Sequence, residues 1–354
     1  MVNSIVKSTY EADAPWDSTD ADLVLRSADG DEFEVDKLFL VRAFHGFKAM
    51  FGTGIGTGEK QEIKGGRPVI ELSENSVVLQ TLLRLTYPTD PGVDDLDSDV
   101  MLDLCVALDK YLVKSYPRAV INRLIVLADK TPGVSYMRAC RFRLPEVAAA
   151  AMKASLRSPK LFADVQPAEY SISAEQYHAF AMYQLQCREK AASAVRDRTW
   201  MYAQKPLPPG FYVLQDSQGP PCDTCYKSPQ GTFTTSDPPT SPTSSVTRAS
   251  SVEGRSHTIR LSSWLSYYLD MVESALVKET IGTVATNQKR IDAVFSSRQV
   301  IICETCKTAE NALGIVRFAQ SLRKEIDRRI ATVQISVPGI VEPQDGRPAL
   351  FLAM

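Results

Sequence analysis

Apolar and polar positions first fall into a pattern at Ala21-Asp22-Leu23-Val24-Leu25-Arg26-Ser27. Leu23 and Leu25 alternate with Val24, which predicts a strand with at least one buried face. Ala28-Asp29-Gly30-Asp31 is turn chemistry and Phe33-Glu34-Val35-Asp36 alternates again, so a β-hairpin is expected. The period changes at Lys37. Leu38, Val41, Phe44, Phe47, Met50 and Phe51 recur at helical spacing and predict two short helices with an aromatic-rich buried face. Val69-Ile70-Glu71-Leu72 reads as a short strand after Gly65-Gly66-Arg67-Pro68. Ser73 or Ser76 is placed to cap the next helix, which carries Val78, Leu79, Leu82, Leu83 and Leu85 and stops at Tyr87-Pro88.

Beyond an acidic loop at 89–99, helical spacing predicts Val100–Val113, Pro117–Asp129, Ser135–Leu144, an Ala-rich Glu146–Leu156 and a long helix over about 174–201. Residues 206–221 are interrupted by proline. Ser, Thr and Pro dominate from Lys227 to Ser251, a composition that buries too little apolar area to offset its ordering entropy. Order is expected to resume near Ser262-Ser263-Trp264, with amphipathic helices over Trp264–Ala285 and about Glu304–Ile330. No internal repeat is present.

The expected fold class is therefore α+β, a small sheet with packed helices followed by a mostly α-helical region. The boundaries read as a disordered arm at 1–19, a first domain at 20–126 and a helical region at 127–205. A C-terminal helical region takes 206–226 and 259–330 around a disordered insert at 227–258, and a tail spans 331–354. The length, 354 residues, agrees with two domains.

A net charge of −2 excludes a chain that binds nucleic acid or anionic membrane through bulk charge. No run of 18 apolar residues predicts a membrane span. The opening segment MVNSIVKSTYEADAPWDS lacks the apolar core of a secretory leader, so a cytoplasmic or nuclear location is expected.

Seven cysteines are too few and too scattered for a secreted disulfide framework. Cys105, Cys140 and Cys187 sit in helical apolar patterns, as small core residues do. The other four form two pairs, Cys222-x-x-Cys225 and Cys303-x-x-Cys306. Two such knuckles can hold one structural zinc in a closed tetrahedral site, here across 77 intervening residues. The competing reading is free thiols at helix ends. A thioredoxin-like role is disfavoured, because no strand precedes Cys222 after Gly219-Pro220-Pro221.

Other constellations are weaker. Gly52–Gly58 is Gly-rich but fits neither phosphate-loop pattern and follows a helix, so a solvent loop is the better reading. His45, His178 and His257 are far apart. Asp94–Asp99 lacks the spacing, glycine and closing Glu of an EF-hand loop. The mixed charges of Arg317–Arg329 suit a solvated helix face.

The stretch at 20–126 resembles a BTB/POZ domain. The residues that carry this are Asp20-Ala21-Asp22-Leu23-Val24-Leu25, Phe33-x-Val35-x-Lys37-x-x-Leu40, Phe47-x-x-Met50-Phe51, Val69-Ile70-Glu71-Leu72-Ser73-Glu74 and Ala107-x-x-Lys110-Tyr111. Leu85-Thr86-Tyr87-Pro88 and Ala139-Cys140-Arg141-Phe142, with the two cysteine pairs, are similar to BTB proteins abundant in mushroom-forming fungi. The resemblance implies strand, hairpin strand, helical hairpin, third strand and further helices. Asp36 departs from the family's usual His, His45-Gly46 departs from its usual small residues, and Val93-Asp94-Asp95 matches poorly the element that recruits cullin-3.

What the resemblance implies is a non-enzymatic interaction scaffold or adaptor, binding itself or a cullin-3 type ubiquitin ligase. The interaction surface would lie at Leu38, Val41, Phe44, Phe47 and Met50. A transcriptional regulator assembled through the same domain is the alternative, and a zinc- or thiol-dependent enzyme a third class. Protein partners are expected; direct nucleic-acid contact and membrane contact are not.

Overall fold

A computed structural model describes residues 20–53, 62–157, 172–203, 211–214, 225, 232–236, 256–296, 302 and 306–340. The expected arm at 1–19 and most of the 227–258 insert lie outside them. The described residues divide into two compact units. The first is drawn from Met1–Ala151, Asp164–Gln176 and Val337–Met354, the second from Met152–Ala163 and Tyr177–Ser336.

The first unit is α+β. Strands β1 (Leu23–Arg26) and β2 (Glu32–Val35) form the expected hairpin, with Leu23 opposite Val35. Helices α1 (Lys37–Ala43) and α2 (His45–Gly52) follow, then β3 (Ile63–Lys64) and β4 (Arg67–Glu71). The sheet order is β2-β1-β4-β3, and β4 runs parallel to β1 with Val24 opposite Val69. Leu23, Val24 and Leu25 are all buried, so β1 is covered on both faces, the usual state of a central strand with a parallel neighbour.

The β3–β4 hairpin was not expected from the apolar pattern, since Ile63 and Lys64 are both exposed. Its turn was nonetheless written in the sequence. Gly65 and Gly66 both take positive φ, +56° and +82°, as a two-residue hairpin turn requires.

Helices α3 (Ser76–Arg84), α4 (Ser98–Lys110), α5 (Arg118–Ala128), α6 (Pro132–Arg141) and α7 (Pro145–Ser155), the last as far as Ala151, come next. The cap of α3 is Asn75, whose side chain accepts from Val78 N–H, rather than Ser73 or Ser76. Ser76 instead donates its hydroxyl to Asp29 at 2.7 Å. Asp97 ends the acidic loop and caps α4 by accepting from Asp99 and Val100 N–H. Part of the C-terminal tail is held here, since Gln176 Nε2 donates to the Pro338 carbonyl at 3.0 Å.

The second unit holds α8 (Ala174–Arg196) from Tyr177 onward, α9 (Thr199–Ala203), and a three-stranded antiparallel sheet. Its strands are β5 (Tyr212–Leu214), β6 (Thr232–Ser236) and β7 (Ser256–Leu261), in the order β5-β7-β6. Both β6 and the start of β7 fall in the stretch expected to be disordered. The reason is pairing: Thr232–Ser236 matches β7 residue for residue, and ladder hydrogen bonds are independent of side-chain polarity.

The expected helix Trp264–Ala285 is interrupted. Helix α10 spans Ser263–Leu276, a 3-10 turn follows at Gly282–Val284, and α11 spans Gln288–Ser296. Thr280 folds its hydroxyl back onto the Leu276 carbonyl at 3.1 Å. Helix α12 begins at Ala309 rather than near Glu304, because Thr308 accepts from Asn311 N–H as its cap. The core of this unit includes Trp264, Tyr268, Phe211, Phe318 and Ile259, each at most 1 % exposed.

One glycine in the first unit has no room for a side chain. A Cβ at Gly46 would stand 2.7 Å from the Tyr111 carbonyl oxygen, whereas one at Gly52, on the same helix, would meet nothing within 4 Å. Gly46→Ala is expected to cost about 1–3 kcal/mol by overpacking, and Gly52→Ala to be neutral or slightly stabilising. Paired urea melts of the two variants check this.

Candidate functional site

The residues expected to form an interaction surface divide into two groups. Phe44 and Phe47 are 1 % and 0 % exposed. They are core residues of the first unit, which corrects the expectation that they face a partner. Leu38 is 56 % exposed, and Val41 and Met50 are half-buried. Helical spacing grouped all five on one stripe, but the chain's own α4 covers the middle of it.

The cover is Tyr111, at the end of α4. Its ring stacks on Phe47 with centroids 4.4 Å apart. Its carbonyl accepts from Gly46 N–H at 2.8 Å, and the Leu112 carbonyl accepts from His45 N–H at 3.1 Å. The open N-terminus of α2 is thus satisfied by backbone rather than by a side-chain cap. Leu112 takes φ 54°, a left-handed conformation, and the chain then bridges Val113 to Phe44.

The same tyrosine reaches the loop after β4. Its hydroxyl donates to Glu74 Oε2 at 2.6 Å, while Lys110 Nζ donates to Glu74 Oε1 and to Ser73 Oγ, each at 2.8 Å. The Glu74 side chain is only 8 % exposed. Burial pushes its carboxyl up, but the hydrogen bonds from Lys110 and Tyr111 outweigh this and leave it below the ordinary carboxylate range. Burial and the neighbouring Glu74 push the Tyr111 phenol well above its usual value. The Lys-Tyr pair of the resemblance is therefore a structural latch.

At the start of α1, Asp22 rather than Asp36 caps the helix, accepting from Lys37 N–H at 2.8 Å. The Asp36 N–H donates to the Tyr87 hydroxyl at 2.9 Å, and Tyr87 packs on Phe39 with centroids 4.4 Å apart. Tyr87-Pro88 thus does more than end a helix: it holds the entry to α1.

Cys105, Cys140 and Cys187 are buried, as expected of core residues. Burial pushes their thiols up to about 12, 11 and 11, so they are protonated and unreactive at neutral pH. A small apolar pocket beside Cys105, lined also by Leu102, Leu124 and Phe142, has room for about one water molecule. His45 and His178 are exposed.

Of the four paired cysteines, Cys222 and Cys303 lie outside the described residues. Cys225 and Cys306 are 0 % and 8 % exposed and belong to one continuous core of the second unit. Among the described residues, which include only Cys225 and Cys306 of these four, no group of three or more metal-ligating side chains stands together.

No protein-family model matches this chain, and no curated protein matches it either. Among the described residues no helix is long and apolar enough to cross a membrane.

Because the folded Glu74 is more acidic than the unfolded one, its contribution to stability is complete above about pH 4.5 and is lost as the pH falls through its folded value. The stability gap between wild type and Glu74→Gln is therefore expected to be widest above pH 5 and to shrink below 4.5. Tyr111→Phe should cost about 1–3 kcal/mol, as loss of a hydrogen bond to a charged group does. Denaturant melts from pH 7 to pH 3 check both.

Proposed function

We propose that this chain is a non-enzymatic scaffold or adaptor whose first unit acts as a BTB/POZ-like docking module. The observation that carries the reading is the order of elements in that unit. A strand, a hairpin strand, a two-helix hairpin, a further strand and a run of helices follow in the order the resemblance implies, with the short β3 as an addition before that further strand, which pairs parallel to β1. Lys110 and Tyr111, quoted for that resemblance, form the latch that closes the unit.

The partner would be a second copy of the chain or a cullin-type ubiquitin-ligase scaffold. The docking edge is α1 and the end of α2, where Leu38 is the most exposed large apolar side chain, with Val41 one turn on and Met50 beside it in the sequence stripe. Single exposed apolar residues are ordinary on a protein surface, so the reading rests on the fold and is tested at Leu38.

Leu38→Asp is expected to weaken self-association or cullin capture at least about 10-fold, equivalent to about 1.4 kcal/mol, with an unchanged thermal midpoint. Phe47→Ala should instead lower stability by about 3–5 kcal/mol. Light scattering over a concentration series and co-purification with a cullin read the two effects separately. A wild-type chain that stays monomeric at high concentration and retains no cullin overturns the proposal.

A further inference from the structure

We propose that the exposed face of α12 is a docking ridge for an acidic segment of a partner protein. Along the sequence the charges of Arg317–Arg329 look mixed, but the fold sorts them. Glu325 is 3 % exposed, and its two oxygens accept from Arg328 Nε and Nη2 and from Arg329 Nε, each at 2.7 Å. Asp327 turns toward the 3-10 turn, where Oδ1 accepts from Gly282 N–H at 2.9 Å and Oδ2 stands 3.8 Å from Arg323 Nε. Both carboxylates of the stretch are thus engaged by the unit itself.

What stays outward is cationic. Arg317 and Lys324 are exposed. The ion pairs of α12 among the described residues take Arg323, Arg328 and Arg329 but neither of these two. Arg328 keeps 62 % of its side chain exposed beyond Glu325. Residues 317, 324 and 328 are seven and four apart, so they share one face of the helix, about 10 Å and then about 6 Å along its axis. Leu313, 51 % exposed, lies one turn before Arg317 on that face. The wider charge agrees: Lys and Arg outnumber Asp and Glu among the described residues of the second unit, and the reverse holds in the first. A chain of net charge −2 therefore carries a basic unit.

Charge complementarity names the occupant. An extended chain rises about 3.3 Å per residue, so about five or six residues rich in Asp or Glu reach all three cations, and an apolar side chain ahead of them meets Leu313. Arg beside an apolar anchor is a protein-interface composition. A phosphate backbone fits less well. Three cations release few counterions, Glu310 and Asp327 border the row, and the aromatic of this helix, Phe318, is buried rather than open to base stacking. One exposed leucine is too little apolar surface to hold a bilayer. The ridge extends the adaptor reading to a second contact, on the unit that does not carry Leu38, so each surface can fail without the other.

The test is fluorescence anisotropy of a labelled peptide, one leucine ahead of a run of glutamates, titrated with the full chain at low salt. Binding is expected to weaken as salt rises and to vanish for the same peptide with Gln for Glu. It should fall at least about 10-fold in Arg317→Glu/Lys324→Glu. Arg328 is left intact because it also holds Glu325. Leu38→Asp, and Lys190→Glu/Lys289→Glu, which reverses two exposed charges on α8 and α11, should bind as wild type does. Thermal melts check folding; should the first pair unfold, Arg317→Gln/Lys324→Gln replaces it, with a smaller loss expected. No binding by folded wild type overturns the proposal, as does an equal loss in both charge-reversed pairs. Tighter binding of duplex DNA or phosphatidylserine vesicles, abolished by Arg317→Glu/Lys324→Glu, overturns it as well.

Discussion

Tyr111 meets three separate demands in the first unit, and the helical hairpin, the sheet and the later helices are joined through it. Its carbonyl fills the open N-terminus of α2, its ring roofs Phe47, and its hydroxyl is given to Glu74 beyond β4. The first of these cannot be met if the chain runs on as helix past Tyr111, because the carbonyl would then be turned along the helix axis. The left-handed Leu112 turns it, at a cost on the order of 1–2 kcal/mol for a residue with a Cβ, and brings Val113 back to pair with Phe44. The absence of a side chain at Gly46 is the complementary condition, since any Cβ there would push the two backbones apart.

The second unit solves a similar problem with charge. Glu325 is 3 % exposed, yet it lies on the apolar side of α12 among Phe318, Leu322 and Ile326. Arg328 and Arg329 donate to it at 2.7 Å, and Arg329 also reaches the Ser193 carbonyl and Asp197 at 2.8 Å. Both Glu325 pairs lie within α12, so they hold Arg329 in place for the contacts that cross to α8. Sliding α12 along α8 would strip Arg329 of Ser193 and Asp197, so these contacts favour one register while the aromatic core around Trp264 and Tyr268 supplies the burial.

The elements most legible in the sequence were those in which one residue type did one job. Alternation around Leu23 and Phe33 and the change of period at Lys37 appear where expected, whereas α4, capped by Asp97, begins two residues before the expected Val100. The β3–β4 hairpin was obscured because its first strand has two residues and buries neither, although Gly65-Gly66 marked the turn. Thr232–Ser236 was obscured by composition, because a strand that gains its stability from a neighbour 20 residues on carries little apolar signal of its own. The break after Leu276 was marked only by Thr280 and Gly282, and a single glycine inside an apolar pattern is weak punctuation.

The site was harder to read than the fold for a reason that Phe44, Phe47 and Leu38 make plain. Periodicity states which side chains share a helix face; it does not state what covers that face. Leu38, Val41, Phe44 and Phe47 follow one another at helical intervals, and nothing in that spacing separates the two that meet Tyr111 from the two at the margin. Only the path of α4, fixed by the Lys110–Tyr111 latch on Glu74, decides it. An interaction surface on such a fold is what remains of an apolar stripe after the chain has taken its own share. The residue to test is therefore the outermost one, Leu38, and not the large aromatic pair that dominates the pattern.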